Sequence, residues 1–417
     1  MKNALNESFL MTLFSQPTAP FREYCVRRLI ESRLLENKYP HFCDPFGNLV
    51  LGANSAPELK RILSQKKKPI SLFVAHMDHP GFHIPKKSAK PFTQQSLSKP
   101  LNFIWHGGSP LKDLKGAELY VSNPEGEWSP ARILKAKLHK SGHYMESGQL
   151  RITHPERLRS SQEILFGGYH FKSFAWQKGD LVFTKAADDL AGVFALVESF
   201  LSTQNKNTTT HPIGLLTTAE EVGWVGALAH FKRFDCWKNA KAEVTAISLE
   251  ASRTLKRAEM GKGPVVRLGD KASIFDSARS EKLLELACRA TKKKFQWRVM
   301  DGGTCEGSVT LAHNIPTVAL CVPLGNYHNM NFEGGMRSSK AHLGPAPEFV
   351  NKQDLQGLVL ICKEVITKGL LLKKDNYSRK RKKLEECLVE YKNELQESLK
   401  LNKSFAAINA SRDKASR

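Results

Sequence analysis

The run Ile213 to Leu216 is apolar and unbroken, and it passes directly into Thr217-Thr218-Ala219-Glu220-Glu221-Val222-Gly223 before an amphipathic segment begins at Trp224. A short apolar run bounded in this way reads as a strand covered on both faces, so two carboxylates stand at the end of a buried strand. Ionised carboxylates are costly to desolvate there and need cations, hydrogen bonds or a metal to offset the burial. Taken alone, a Glu-Glu pair is more often the solvated first turn of a helix, favoured by the helix dipole. The rest of the chain argues otherwise. His76, Asp78, Asp188, Glu250 and His328 fall at comparable strand ends, and His with carboxylate at such ends is metal chemistry.

Each of these positions has its own local argument. Ile70 to Met77 is a second buried strand, ending in His76-Met77-Asp78-His79-Pro80-Gly81. H-x-D puts both side chains on one face of an extended chain, so Asp78 is placed to fix the tautomer of His76. His79 and His83 read as loop residues. In Ala186-Ala187-Asp188-Asp189, Asp189 suits the cap of a helix over Val193 to Leu201. The small residues beside Asp188 let its carboxylate approach two cations at once. Val244 to Leu249 closes on Glu250, and Ile315 to Leu324, the last core strand, runs into Gly325-Asn326-Tyr327-His328. Asp301-Gly302-Gly303-Thr304-Cys305-Glu306 is a glycine-rich turn opening a helix whose amides can face an anion or a substrate carbonyl, which makes Gly303 and Thr304 substrate-contact candidates. Cys305, with no ordered His partner in the sequence, reads as a structural thiol.

Helical periodicity over 3–14, 20–37, 278–291 and 352–372 alternates with these strands. The fold class this predicts is α/β, a mostly parallel sheet between helices, with ligands at the carboxyl ends of the strands. Between them, 86–178 changes character: a basic, turn-rich start is followed by short alternating runs at Ala117 to Val121, Ala131 to Leu138 and Gln149 to Thr153. That pattern predicts a small inserted β-barrel or sandwich serving oligomerisation or substrate access, and leaves 1–85 with 179–372 as a discontinuous catalytic domain. His106, His139, His143, His154 and His170 lack ligand spacing and read as surface residues. Residues 373–417 form a basic helical tail in which Leu384, Leu388, Tyr391, Leu395 and Leu399 follow Arg379-Lys380-Arg381-Lys382-Lys383 at spacings of four and three. A short coiled-coil seam and a solvated, fraying helix fit that stretch about equally.

The net charge of +22 points to acidic ligands or surfaces, but no aromatic-interleaved basic motif, zinc finger or recognition helix accompanies it, so nucleic acid is unsupported beyond charge. The eight cysteines are scattered without a C-x-x-C pair, which fits reduced thiols in a cytoplasmic protein. With no apolar run long enough to span a bilayer and no convincing leader, neither membrane nor secretion is expected.

Taken in order, H-M-D, A-D-D-x-x-G, E-E-V-G, an acidic strand end, G-K-G-P, G-G-T and Y-H resemble the glutamyl or deblocking aminopeptidases, the dinuclear metallopeptidases that include the tetrahedral aminopeptidases and cellulase-M-like proteins. The likeness spans about residues 5 to 370 and takes in D-x-x-G-N and the β insert. The resemblance implies a zinc-peptidase-like fold acting on peptides, with two divalent metal ions per subunit, zinc or cobalt. His76, Asp188 and Glu250 would hold one ion and Asp188, Glu221 and His328 the other. Glu220 would be the general base, Asp78 would orient His76, and the insert would build a homo-oligomer. An amidohydrolase or deacylase on the same scaffold, and an inactive binding scaffold, are the rival readings. The chain departs from the family in four places: His79 replaces a usual Glu, Glu250 a usual Asp, Cys305-Glu306 the usual Asp-Ala, and no Arg-Tyr precedes His328. Those changes bear on substrate preference more than on metal binding.

Overall fold

The computed structural model describes residues 5–86, 91–158, 163–332, 343–372 and 378–415. Two compact units form, Met1–Leu371 and Leu372–Arg417.

The first unit is built on an 11-stranded sheet. At its centre His211–Thr217, Ile70–His76, Val244–Arg253 and Thr317–Gly325 lie side by side and parallel, in that order. Ile70–His76 and Thr317–Gly325 are buried at every position, as expected of strands covered on both faces. Successive residues feed opposite layers: Phe73 and Ala75 pack with the helices Glu7–Phe14, Leu190–Thr203 and Lys352–Lys368, while Leu72 and Val74 face Leu59, Ala227 and Phe231 on the other side. The expected α/β architecture is therefore present. Its margins are antiparallel, since Leu49–Leu51 runs against His211–Thr217 and Glu348–Asn351 pairs with both Thr317–Gly325 and Leu181–Thr184.

Helix Leu190–Thr203 is buried on nearly every face, and Asp189 caps it by accepting from the Gly192 amide. Burying each of Leu190, Phe194, Leu196 and Phe200 contributes roughly 1.5–3 kcal/mol, so this helix fixes the Asp188 loop against the sheet.

Six strands close a barrel in the order Gly81–His83, Leu101–His106, Met145–Ile152, Trp128–Leu138, Glu118–Ser122 and Phe166–Tyr169. Phe82, Phe103, Leu119, Ile133 and Leu150 fill it. Ala175–Lys178 already belongs to the main sheet. Only three of the six strands show in the alternation of the sequence. Gly81–His83 and Phe166–Tyr169 are too short and glycine-rich to carry a period. Two of the histidines read as loop or surface residues are partly enclosed here: His83 and His106 stack at 4.9 Å, Nδ1 to Nε2 at 2.7 Å.

The D-x-x-G-N segment is a hub. Asp44 accepts from the amides of Phe46 and Asn48, from the Asn48 side chain and from His230 Nδ1, all at 2.7–3.0 Å. Asn48 in turn accepts from the Thr218 amide and donates to the Gly226 carbonyl, which ties the hub to the Glu220-Glu221 loop. Burial alone would raise the Asp44 pKa, but the His230 and Asn48 hydrogen bonds outweigh it and hold the carboxyl below the usual range. Asp44→Ala strands several buried donors, and we expect it to lower unfolding stability by about 3 kcal/mol in urea titration at neutral pH.

The second unit contains helices Ser378–Glu390 and Lys392–Ala415. Leu384, Leu388, Tyr391, Leu395 and Leu399 are all exposed. No helix among the described residues is long and apolar enough to cross a membrane.

Candidate metal centre

The carboxyl ends of the central strands bring His76, Asp188, Glu220, Glu221, Glu250 and His328 to the inner wall of one cavity of about 270 Å³. His76 closes its strand level with Thr217, and Glu250 lies within its own strand opposite Cys321. The Glu220-Glu221 loop leaves its strand through Ala219, whose φ is 51°, and three of the four residues from Asn326 to Asn329, namely Asn326, His328 and Asn329, are left-handed. Non-glycine residues held this way cluster at functional sites.

Three groups of side chains could hold a metal ion: His76 with Asp188 and Glu250, Asp188 with Glu221 and His328, and His76 with Glu220 and Glu221; the first two share Asp188. His76 Nε2 is 3.4 Å from Asp188 Oδ1 and 3.4 Å from Glu250 Oε1. His328 Nε2 is 3.1 Å from Glu221 Oε2 and 3.7 Å from Asp188 Oδ2. Donors about 2.0 Å from a common tetrahedral cation stand about 3.3 Å apart, so these spacings suit divalent ions. Two buried oxygens, Asp188 Oδ1 and Glu221 Oε1, have no hydrogen-bond donor. Burial and the neighbouring carboxylates push the Asp188 and Glu220 pKa values well up. His76 goes up as well: burial opposes its charge, but Glu220, Asp188, Asp78 and Glu250 surround it. Four carboxylates gathered around two imidazoles, two of their buried oxygens lacking donors, fit cations.

Asp78 sits behind the cluster. Its Oδ1 is 3.7 Å from His76 Nδ1, while its two oxygens accept the amides of Glu220 and Glu221 at 2.9 and 3.1 Å. It therefore also sets the backbone of the Glu-Glu loop. Gly303 and Thr304 line the cavity. The helix after them, Gly307–Ala312, does not offer its amide end to a ligand as expected: Asp270 accepts there from the Cys305 amide and from Ser308 Oγ. Cys305 is buried, and burial lifts its thiol to about 12.

Several functional neighbours escaped the sequence reading. His79, expected in a loop, is buried, with Nδ1 donating to the Asp188 carbonyl at 2.7 Å and Nε2 3.1 Å from Asn329 Oδ1. It braces the two ligand loops against each other. Glu348 is wholly buried and accepts from the amides of Ala187, Asp188 and His328 at 2.7–3.0 Å. Burial raises its pKa to about 8, although those three donors favour the charged form. Glu306 accepts from Thr217 Oγ1. Arg267, buried, lies 3.8 Å from Glu250 Oε2 and donates to Ser252. Its proximity, with His76 and Asp188, holds the Glu250 pKa down against burial. On the outer wall the Arg253 guanidinium lies 3.7 Å from the Phe332 ring centroid, near Leu255, Met300 and Met330.

Residues 168–333, which hold Asp188, the Glu220-Glu221 loop, Glu250 and His328, match the M42 glutamyl aminopeptidase family model. That stretch is similar to the M42 glutamyl aminopeptidases. Metal-dependent aminopeptidase activity goes with that family; Asp188, Glu220, Glu221, Glu250 and His328 lie within the match, and His76 and Asp78 lie well before it. Among solved structures, an aminopeptidase of the archaeon Desulfurococcus kamchatkensis shares the fold with a TM-score of 0.65 and 18% identity, over 86% of this chain and 93% of that one. The TET aminopeptidase of a marine-sediment Thaumarchaeota archaeon gives 0.65 and 18%, over 89% and 98%. The TET1 peptidase of Pyrococcus horikoshii, which can assemble into a tetrahedron or a large octahedral shell, gives 0.62 and 22%, over 87% and 99%. No curated protein matches the chain. The chain thus shares the fold of these peptidases.

Proposed function

We propose that this M42-type chain removes N-terminal residues from peptides, using two divalent cations, zinc or cobalt, with Glu220 as general base. One observation carries the reading. Asp188 is common to two ligand triads, and Glu220, which also lies within reach of His76 and Glu221, is needed to complete neither of them.

His76, Asp188 and Glu250 would hold one cation, and Asp188, Glu221 and His328 the other. Bound there, the pair supplies Lewis-acid activation of water and of the scissile carbonyl. Glu220 accepts the proton of the attacking water and passes it to the leaving amine. Asp78 fixes both Glu220 and Glu221 through their amides and keeps His76 in register. Gly303 and Thr304 form the wall along which the peptide lies. The barrel, which runs from Gly81–His83 to Phe166–Tyr169, is the surface we assign to homo-oligomer formation, in line with the assembly described for the Pyrococcus peptidase. Eight unpaired thiols suit a cytoplasmic setting.

The test is metal stoichiometry by mass spectrometry on purified, reconstituted protein, paired with hydrolysis of aminoacyl amides and of N-acyl amino acids. We expect about two cations per chain, cleavage of the amides, and loss of activity on chelation that zinc or cobalt restores. Full activity in metal-stripped protein would sink the metal mechanism. Preference for the N-acyl compounds would make the chain a deacylase.

A further inference from the structure

We infer that the Gly107-Gly108 turn of the barrel is a positioning element for the second triad, holding the His328 imidazole against Glu221 and Asp188. This rests on the two-cation reading above.

The turn follows strand Leu101–His106 and lies directly against the ligands. A Cβ placed on Gly107 would stand 3.2 Å from Glu221 Cβ and 3.2 Å from Pro80. A Cβ on Gly108 would stand 1.9 Å from His328 Nδ1, far inside any non-bonded contact. The Nδ1 edge of the ring therefore rests on the bare α-carbon of Gly108, while its Nε2 edge faces Glu221 and Asp188. Neither side yields easily. Trp105, buried in the barrel, donates from Nε1 to the Gly108 carbonyl at 3.0 Å, and the buried Ser109 hydroxyl accepts from the Met145 amide at 2.6 Å. On the other flank Glu348 holds the His328 amide, and the Tyr327 ring stacks on the imidazole at 3.6 Å.

The two glycines are required for different reasons. Gly107 has a φ of +81°, where any other residue is strained irrespective of space. Gly108 does not have a left-handed backbone, so a side chain there meets only the imidazole. Gly108→Ala thus probes the contact without the backbone cost. The barrel acquires a second role beside any part in assembly: it completes the site of one cation and leaves the His76 triad untouched. A metal-ligating His depends on such outer partners for its orientation.

The experiment compares full-length wild type, Gly108→Ala and Trp105→Phe by calorimetric metal titration of stripped protein, with thermal unfolding of the stripped forms and kcat and KM at rising metal concentration. We expect Gly108→Ala to keep one tight cation and to bind the other roughly 10- to 100-fold more weakly. Its kcat should return as metal is raised, with KM unchanged, while the clash with His328 lowers the melting temperature of the metal-free form. Trp105→Phe removes the indole N–H that pins the turn together with part of the ring packed on Phe82 and Tyr169, and should weaken the same cation by a smaller factor. Should Gly108→Ala prove unfolded, Trp105→Phe still decides. Two wild-type affinities in both variants would overturn the inference, as would equal weakening of both cations. A wild-type chain that binds fewer than two cations brings down the two-cation reading and this inference with it, and that result is seen without any variant.

Discussion

Glu220→Gln is expected to lower kcat by about a hundred- to ten-thousand-fold while the metal content and KM stay near wild type. Glutamine keeps the size and shape of the side chain but cannot take the proton of the attacking water. The Glu220 main chain is held independently of its carboxyl, because Asp78 accepts the Glu220 amide at 2.9 Å and the Glu221 amide at 3.1 Å. The substitution therefore separates proton transfer from cation binding. Steady-state kinetics on an aminoacyl amide, with metal analysis of the same samples, checks it. A variant that retained most of its kcat would move the base to another residue. One that lost metal along with activity would make Glu220 a ligand.

Glu348→Ala is expected to lower the stability of the metal-stripped protein by about 3–5 kcal/mol, since it leaves three buried amides without an acceptor. Those amides belong to Ala187, Asp188 and His328, so two of the three loops that supply the second triad lose a common anchor. Metal affinity should fall with the stability. Glu348→Gln retains one acceptor oxygen and should lie between the two. Urea unfolding of stripped protein, followed by metal titration of the folded fraction, measures both effects. Unchanged stability in Glu348→Ala would mean that the loops find other acceptors and that Glu348 is dispensable to them.

How legible the site was depended on where each residue sits relative to an apolar run. His76, Glu220, Glu221 and Glu250 each end or interrupt such a run, and the cost of a buried charge makes that visible without any structure. Asp189 was readable as a cap because the N-cap interaction spans only three residues. Glu348 carries the same signal as Glu250, a carboxylate opening the apolar pair Phe349-Val350, and that signal was available though unused. His79 offered no such clue. Its partners are the Asp188 carbonyl and Asn329, and nothing local separates a buried brace from a loop histidine. The same holds for Arg267 beside Glu250 and for the amide end of Gly307–Ala312, which Asp270 occupies from another strand. The barrel was half legible, because Trp128–Leu138 alternates over enough residues to show a period and Phe166–Tyr169 does not.

The amino-acid order alone determined the α/β class, the strand ends at which chemistry gathers and the types of residue gathered there. Period and burial cost are local properties, written within a few residues of each side chain. Only the tertiary structure brought the Asp188 carboxylate within reach of both His76 with Glu250 and Glu221 with His328, tied the ligand loops together through Glu348 and His79, and set a glycine of the barrel against His328. These relations join residues far apart in the chain, and their energies come from close packing and buried hydrogen bonds that exist only once the strands, the helices and the barrel have met.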